Sequence, residues 1–519
     1  MDQIANPDSF FKIFNFENYS EVLKFESLTY DDLTNNSNIK NIYTFLENQN
    51  CKEIIIEAHY NDKFYLDDYL HFYGSCFQSY KRFCKRLHFF TASVKNLIIE
   101  IIDNYEEDNT EKLNELQNNY LGFLIVRPLN TIIGRTAITF SSANNNIDIG
   151  HRSNFAHIFT LKTYNVNLLG IPLVVKSLGF QEQDQTISAC ATSALWTILE
   201  KTNPRFGYYT PTPYEITQKA SEFISISRAI PSSGLTGMQV MNSIKKFGLE
   251  AEFMSISEEN TLGIKIDRNA VLSLCYAYLK GGFPLFLALK INDSDYHATA
   301  ILGYHLKDVI PPNQDFNTIA NRIDCFFVHD DIVGPFTRYY VKDDLSLYLN
   351  KEESHHNYVK VDPLYIVIPV YHKVRYPYSK VYSILGKLMR MMNMIDRDKK
   401  YSLEWDCYLT TVNQYKKSLI SPSFIIDEKL KRDLLFKSFP RFFWKCTLFI
   451  NKIVAQIELL VDATEGPNSM PFFKMYPIND NIYWQKIKTF INEAENHTLI
   501  QYLKSPRLVQ FLQDEINKF

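Results

Sequence analysis

Residues 188–201 read SACATSALWTILEK, and this short run sets the fold expected for the middle of the chain. Ala191, Ala194, Leu195, Ile198 and Leu199 recur at the spacing that gathers them on one helical face, so a helix buried along one side is expected. Its first turn holds Cys190, and Ser188 just upstream suits an N-cap. A cysteine at a helix start feels the positive end of the aligned backbone dipoles, which favours thiolate over thiol. A lone cysteine beside apolar residues is more often a small core filler. That is the expectation for the other seven, at positions 51, 76, 84, 275, 325, 407 and 446.

Two later segments give Cys190 company. Residues 297–304, HATAILGY, set one histidine among small and apolar residues at the start of a strand, behind the turn-like cluster Asn292-Asp293-Ser294-Asp295. His297 is therefore expected at a sheet edge facing a cleft. Residues 325–329, CFFVH, form a second short strand that delivers Asp330 and Asp331 at its end, followed by Gly334-Pro335. A carboxylate there can accept the imidazole N–H, fix its tautomer and stabilise the imidazolium. Taken singly, such a histidine is usually a satisfied structural residue and two adjacent acids an ordinary solvated turn.

The order of Gln, Cys at a helix start, His at a strand start and Asp after the next strand resembles the papain-like cysteine peptidase superfamily. The nearest likeness is to the branch of double-glycine-leader (bacteriocin-processing) peptidases and their soluble relatives. Gln183-Asp184-Gln185 resembles that branch's oxyanion-hole Gln, residues 297–304 its histidine strand, and Asp330 with Gly334 its acid turn. Gly281-Gly282-Phe283-Pro284 and the apolar run after it are similar as well. The likeness covers about residues 179–336. It implies an α+β fold with a papain-like core, a nucleophile helix packed on an antiparallel sheet. It also implies a Cys190, His297, Asp330 triad with Gln183 as oxyanion donor, and no metal or organic cofactor. The sequence departs from the pattern at three places. Ala191 stands where the family usually has Gly, and Asp331 where it has Pro, which leaves Asp330 and Asp331 both open. Gln183 and Gln185 lie seven and five residues before Cys190, either side of the expected six, with Gln183 preferred.

The rest of the composition is ordinary for a folded protein. Of 519 residues, 46% are hydrophobic and 22% charged, too apolar for a disordered chain. A formal net charge of -3 gives no reason to expect nucleic acid or an anionic membrane as partner. The basic stretches at 390–400 and 429–441 read as solvated helix faces. No CxxC pair suggests a zinc or redox site. No apolar run has spanning length and the N-terminus does not read as a signal peptide, so a cytoplasmic protein with reduced thiols is expected.

The expected organisation is an N-terminal mixed α/β region at 1–140, a linker or loop at 141–165, the peptidase domain at 166–345 and a C-terminal mixed α/β region at 346–519. Outside the core, a strand is expected at 53–58, a helix over 67–90 and a strand at 120–128. The long flanks argue for a specific protein or peptide substrate over general digestion. Two rival readings remain: the same triad performing another amide acyl transfer, and an inactive papain-like scaffold that binds protein.

Overall fold

The computed structural model describes residues 11–24, 36–104, 109–140, 156–184, 186–223, 229–232, 234–256, 267–291, 295–307, 316–350, 358–395, 402–421, 426–450, 454–466, 471–478, 482–494 and 496–518. The architecture is α+β, built on antiparallel sheets. Among the described residues no helix is long and apolar enough to cross a membrane.

The N-terminal region is a five-stranded meander, Phe11–Asn15, Glu53–Tyr60, Cys84–Phe90, Tyr120–Val126 and Ile133–Ile138, paired in chain order. Both faces are covered. On one lies the hairpin Lys162–Leu168 and Ile171–Ser177, whose alternate residues Tyr164, Val166, Leu168, Ile171, Leu173 and Val175 pack with Phe90, Phe123 and Ile125. Leu169 and Gly170 join its strands with φ of 52° and 89°, the two positive values that a two-residue hairpin turn requires. On the other face lies the helix Ser37–Glu47, through Ile39, Ile42 and Leu46.

The middle of the chain closes into a barrel. Leu285–Ile291, Asp295–Leu306, Ile323–Asp330, Gly334–Val341, Leu347–Asn350 and Tyr358–Val370 pair antiparallel in sequence, and the last pairs back onto the first. Closure leaves no open edge among these six strands. Glu250–Ser255 adds to the last strand and Ala156–His157 to the second. The helix Cys190–Arg205 packs on one side through Leu195, Ile198 and Leu199 against Phe286, Ala288, Ala298, Ala300 and Leu302. The helix Arg268–Lys280 shares a second core with Leu287, Leu289, Ile301, Val328 and Ile366. That core continues into a C-terminal four-stranded sheet, Leu403–Thr411, Phe442–Ile450, Val454–Asp462 and Phe472–Pro477, through Trp405 and Trp444.

Several expected elements change. The helix expected over 67–90 is instead a helix at Lys63–His71, a short turn of 3-10 helix at Tyr73–Ser75 and the strand Cys84–Phe90. The same apolar spacing serves both periods, and the tertiary site decides: Cys84, Leu87, Phe89 and Phe90 are buried between neighbouring strands. The expected linker at 141–165 lies outside the described residues over 141–155, while residues 162–165 belong to the hairpin, which packs on the N-terminal sheet. The barrel runs past residue 345, because its closing strand is Tyr358–Val370.

Candidate active site

Cys190 is the first residue of its helix. The loop before it is fixed by Asp184, six residues upstream. Its Oδ1 accepts the N–H groups of Thr186, Ile187 and Ser188 at 3.0, 2.9 and 2.7 Å, and its Oδ2 accepts the Tyr73 hydroxyl at 2.8 Å. Ser188 is not the N-cap. That position is Ala189, which offers no side chain to the helix, while the Ser188 and Ser193 hydroxyls bond each other at 3.0 Å. The first-turn N–H groups are thus left without a side-chain cap, beside the cysteine sulfur. All eight cysteines are free thiols, and only Cys76 and Cys190 escape full burial.

His297 comes from the second barrel strand, paired with Leu289 of the first, so it shares a buried face with that leucine. Its Nε2 lies 2.9 Å from Asp330 Oδ1, and Cys190 stands near enough to the ring to help raise its pKa. With Nε2 on the carboxylate, Nδ1 is the nitrogen left for the sulfur. Asp330 is held in turn: Tyr339 Oη donates to its Oδ2 at 2.6 Å and the Ile332 N–H to its Oδ1 at 3.0 Å. Tyr365, from the closing barrel strand, stands close enough for the Cys190 charge to raise its pKa, adding to the effect of burial.

The electrostatics follow from this geometry. Burial alone lowers the His297 pKa. The charge and hydrogen bond of Asp330, the Cys190 contact and the charge of Asp331 outweigh it and hold the imidazole well above its ordinary value. Burial raises Asp330, but the His297 charge and hydrogen bond, with Tyr339 and the Ile332 N–H, pull it below the usual carboxylate range. Each partner thus favours the charged form of the other.

Asp331 is the acid not hydrogen-bonded to His297. Its Oδ1 lies 3.7 Å from His297 Nε2, beyond hydrogen-bond reach, and its Oδ2 is buried with no hydrogen-bond partner. Burial, with the Asp330 and Glu182 charges adding to it against the attraction of His297, pushes it up to about 7. The sequence left Asp330 and Asp331 both open; Asp330 is the one hydrogen-bonded to the imidazole. His297, Asp330 and Asp331 also bring one ligand atom each within 4.8 Å of one another, a set able to hold a cation. Asp330 would have to share oxygens already engaged by Tyr339 and the Ile332 N–H.

Gln183 is half-buried on the segment ahead of Cys190, and Gln185 lies outside the described residues. Sequence reasoning passed over Gln181, nine residues before Cys190. It is buried, and its Nε2 has no hydrogen-bond partner. The chain matches no protein-family model, and no curated protein is similar enough to count as a relative. The site thus rests on its own chemistry.

Proposed function

We propose that this chain is a papain-like cysteine hydrolase that cleaves a peptide or amide bond in a specific protein or peptide, using Cys190, His297 and Asp330. One observation carries the reading: a single buried imidazole stands beside a helix-starting cysteine and bonds a buried carboxylate at 2.9 Å. The raised His297 pKa favours the imidazolium, and an adjacent imidazolium favours the thiolate. Packing of the nucleophile helix on an antiparallel barrel supports the same core.

In the proposed reaction the Cys190 thiolate attacks the scissile carbonyl, forming the S–C bond of a tetrahedral intermediate. The uncapped N–H of Cys190 and one glutamine amide bind its oxyanion, each donor worth roughly 10²–10³ in rate. His297 gives its proton to the leaving amine as the C–N bond breaks. It then takes a proton from the water that hydrolyses the thioester. Asp330 keeps the imidazole oriented throughout. Gln183 is the expected amide, and the unpartnered Gln181 is its rival. A thiol nucleophile among free cysteines fits a reducing compartment, and we place the enzyme in the cytoplasm.

The test is site-resolved alkylation of Cys190 across pH, by mass spectrometry, in wild type and His297→Ala. Rapid labelling that persists well below the ~8.5 of a free thiol and disappears with His297 supports the pair. Labelling that rises only near that value, equally in both proteins, overturns the reading.

A further inference from the structure

Asn38, Asn41 and Phe45 occupy one face of the helix Ser37–Glu47, at i, i+3 and i+7. The neighbouring face, Ile39, Ile42 and Leu46, is anchored in the N-terminal core. The first face meets the acid turn almost three hundred residues later. Asn38 Nδ2 donates to the Asp331 carbonyl at 2.8 Å, and Asn41 Nδ2 donates to the Val333 carbonyl. Phe45 stacks on Phe336 with ring centroids 5.5 Å apart.

The turn being gripped is a strained one. Gly334 has φ of 148° and Phe336 φ of 55°, the latter uncommon for an aromatic residue. A Cβ at Gly334 would sit 3.0 Å from the Asn41 Cβ, so the helix can approach this closely only because the turn carries glycine there. The same helix also reaches the segment that leads to the nucleophile. Asn36 and Asn38 donate to Glu182 Oε1 at 2.9 and 3.2 Å, and Glu182 Oε2 accepts the Ile133 N–H.

We propose that Asn38 and Asn41 are positioning residues for the triad. By gripping the carbonyls of Asp331 and Val333 they fix where the turn places the Asp330 carboxylate, which makes the N-terminal region part of the catalytic apparatus. This rests on the hydrolase reading above. Asp330 bonds the N–H of Ile332 through its side chain and of Val333 through its carbonyl, so a shift of the turn moves the carboxylate away from Nε2. A weaker carboxylate contact destabilises the imidazolium and, with it, the thiolate.

The experiment is the pH profile of Cys190 alkylation in the full-length chain for wild type, His297→Ala, the double variant Asn38→Ala with Asn41→Ala, and Ile42→Val. Ile42 anchors the same helix without touching the turn, so Ile42→Val reports on general loosening. Expected is a midpoint raised by about one pH unit in the double variant, of the order of one hydrogen bond's contribution. Ile42→Val should lower the thermal midpoint and leave the pH midpoint in place. An activated wild-type profile that the double variant does not shift, or that Ile42→Val shifts equally, overturns the positioning role alone. A wild-type profile identical to His297→Ala overturns the hydrolase reading, and the positioning role falls with it.

Discussion

Asp331→Asn should make the protein more stable above neutral pH. The wild-type carboxyl is almost fully buried, has one oxygen without a partner, and rises from an ordinary 3.8 to about 7. That shift is roughly three units, and at about 1.36 kcal/mol each it corresponds to at most about 4 kcal/mol. The sign follows from linkage. The folded pKa lies above the unfolded one, so Asp331 costs the fold nothing near pH 4. Its cost then grows as pH rises, and it is constant above pH 7 once the folded carboxyl has ionised. An asparagine has nearly the shape of the protonated acid and never ionises, although its amide buries two N–H donors where the acid buries one O–H. Urea unfolding followed by tryptophan fluorescence, at fixed ionic strength from pH 4 to 8, reads the difference. Trp196, fully buried on the Cys190 helix, reports on the relevant core. The variant should gain on the wild type progressively from pH 4 upward and be ahead at pH 8. A constant offset across that range would refute the argument, because a structural defect carries no pH dependence of this form.

Other expectations concern single contacts. Tyr339→Phe removes the buried hydroxyl that donates to Asp330 Oδ2, a hydrogen bond to a charged acceptor worth about 1.5–3 kcal/mol. Because the folded Asp330 pKa is depressed, its stabilisation is present above the ordinary carboxylate range and lost as pH falls through the folded value. Acid unfolding of the variant should therefore begin at higher pH. His329, between the Leu178 carbonyl and the Phe336 N–H, is pushed down to about 4 by burial. The stability it secures is present above about 6.5 and lost as pH falls toward 4, so His329→Gln should flatten stability over that window. Gln183→Ala and Gln181→Ala can be compared in acylation of Cys190 by an activated ester. The oxyanion donor is the one whose loss slows acylation by about 10²–10³ while leaving alkylation, which forms no oxyanion, unchanged. In the C-terminal sheet, Glu458→Gln strips the half-buried Lys445 ammonium of a buried carboxylate 3.1 Å away and should destabilise by about 3 kcal/mol, read as a lower thermal midpoint.

What was legible in the sequence was whatever local pattern encodes. The helix at Cys190 announced itself by its apolar face, and the strands carrying His297 and Asp330 by short apolar runs between turn residues. Their convergence could be expected only through resemblance, since 107 residues separate Cys190 from His297. Barrel closure was not legible, because pairing of Leu285–Ile291 with Tyr358–Val370 is a long-range event without a local signature. The misread helix at 67–90 shows the same limit: aromatic residues spaced for one helical face also fill a buried strand. Asn38 and Asn41 gave no signal at all, since the acid-turn groups they grip are backbone carbonyls, whose identity no sequence pattern records. The choice between Asp330 and Asp331 needed a distance, 2.9 against 3.7 Å.

Closure of the barrel by its sixth strand has a consequence for synthesis. The first strand cannot acquire its second neighbour until residues 358–370 have left the ribosome, by which time Cys190, His297 and Asp330 have all emerged. The asparagines of the helix Ser37–Glu47 wait longer still, for carbonyls 292 and 293 residues downstream, which at 5–20 residues per second is roughly 15–60 s. A nascent chain thus lacks these contacts through most of its translation. Any truncation before residue 370 leaves a strand edge open, so under the proposed reading Cys190 and His297 reach their finished setting late, on the completed barrel alone.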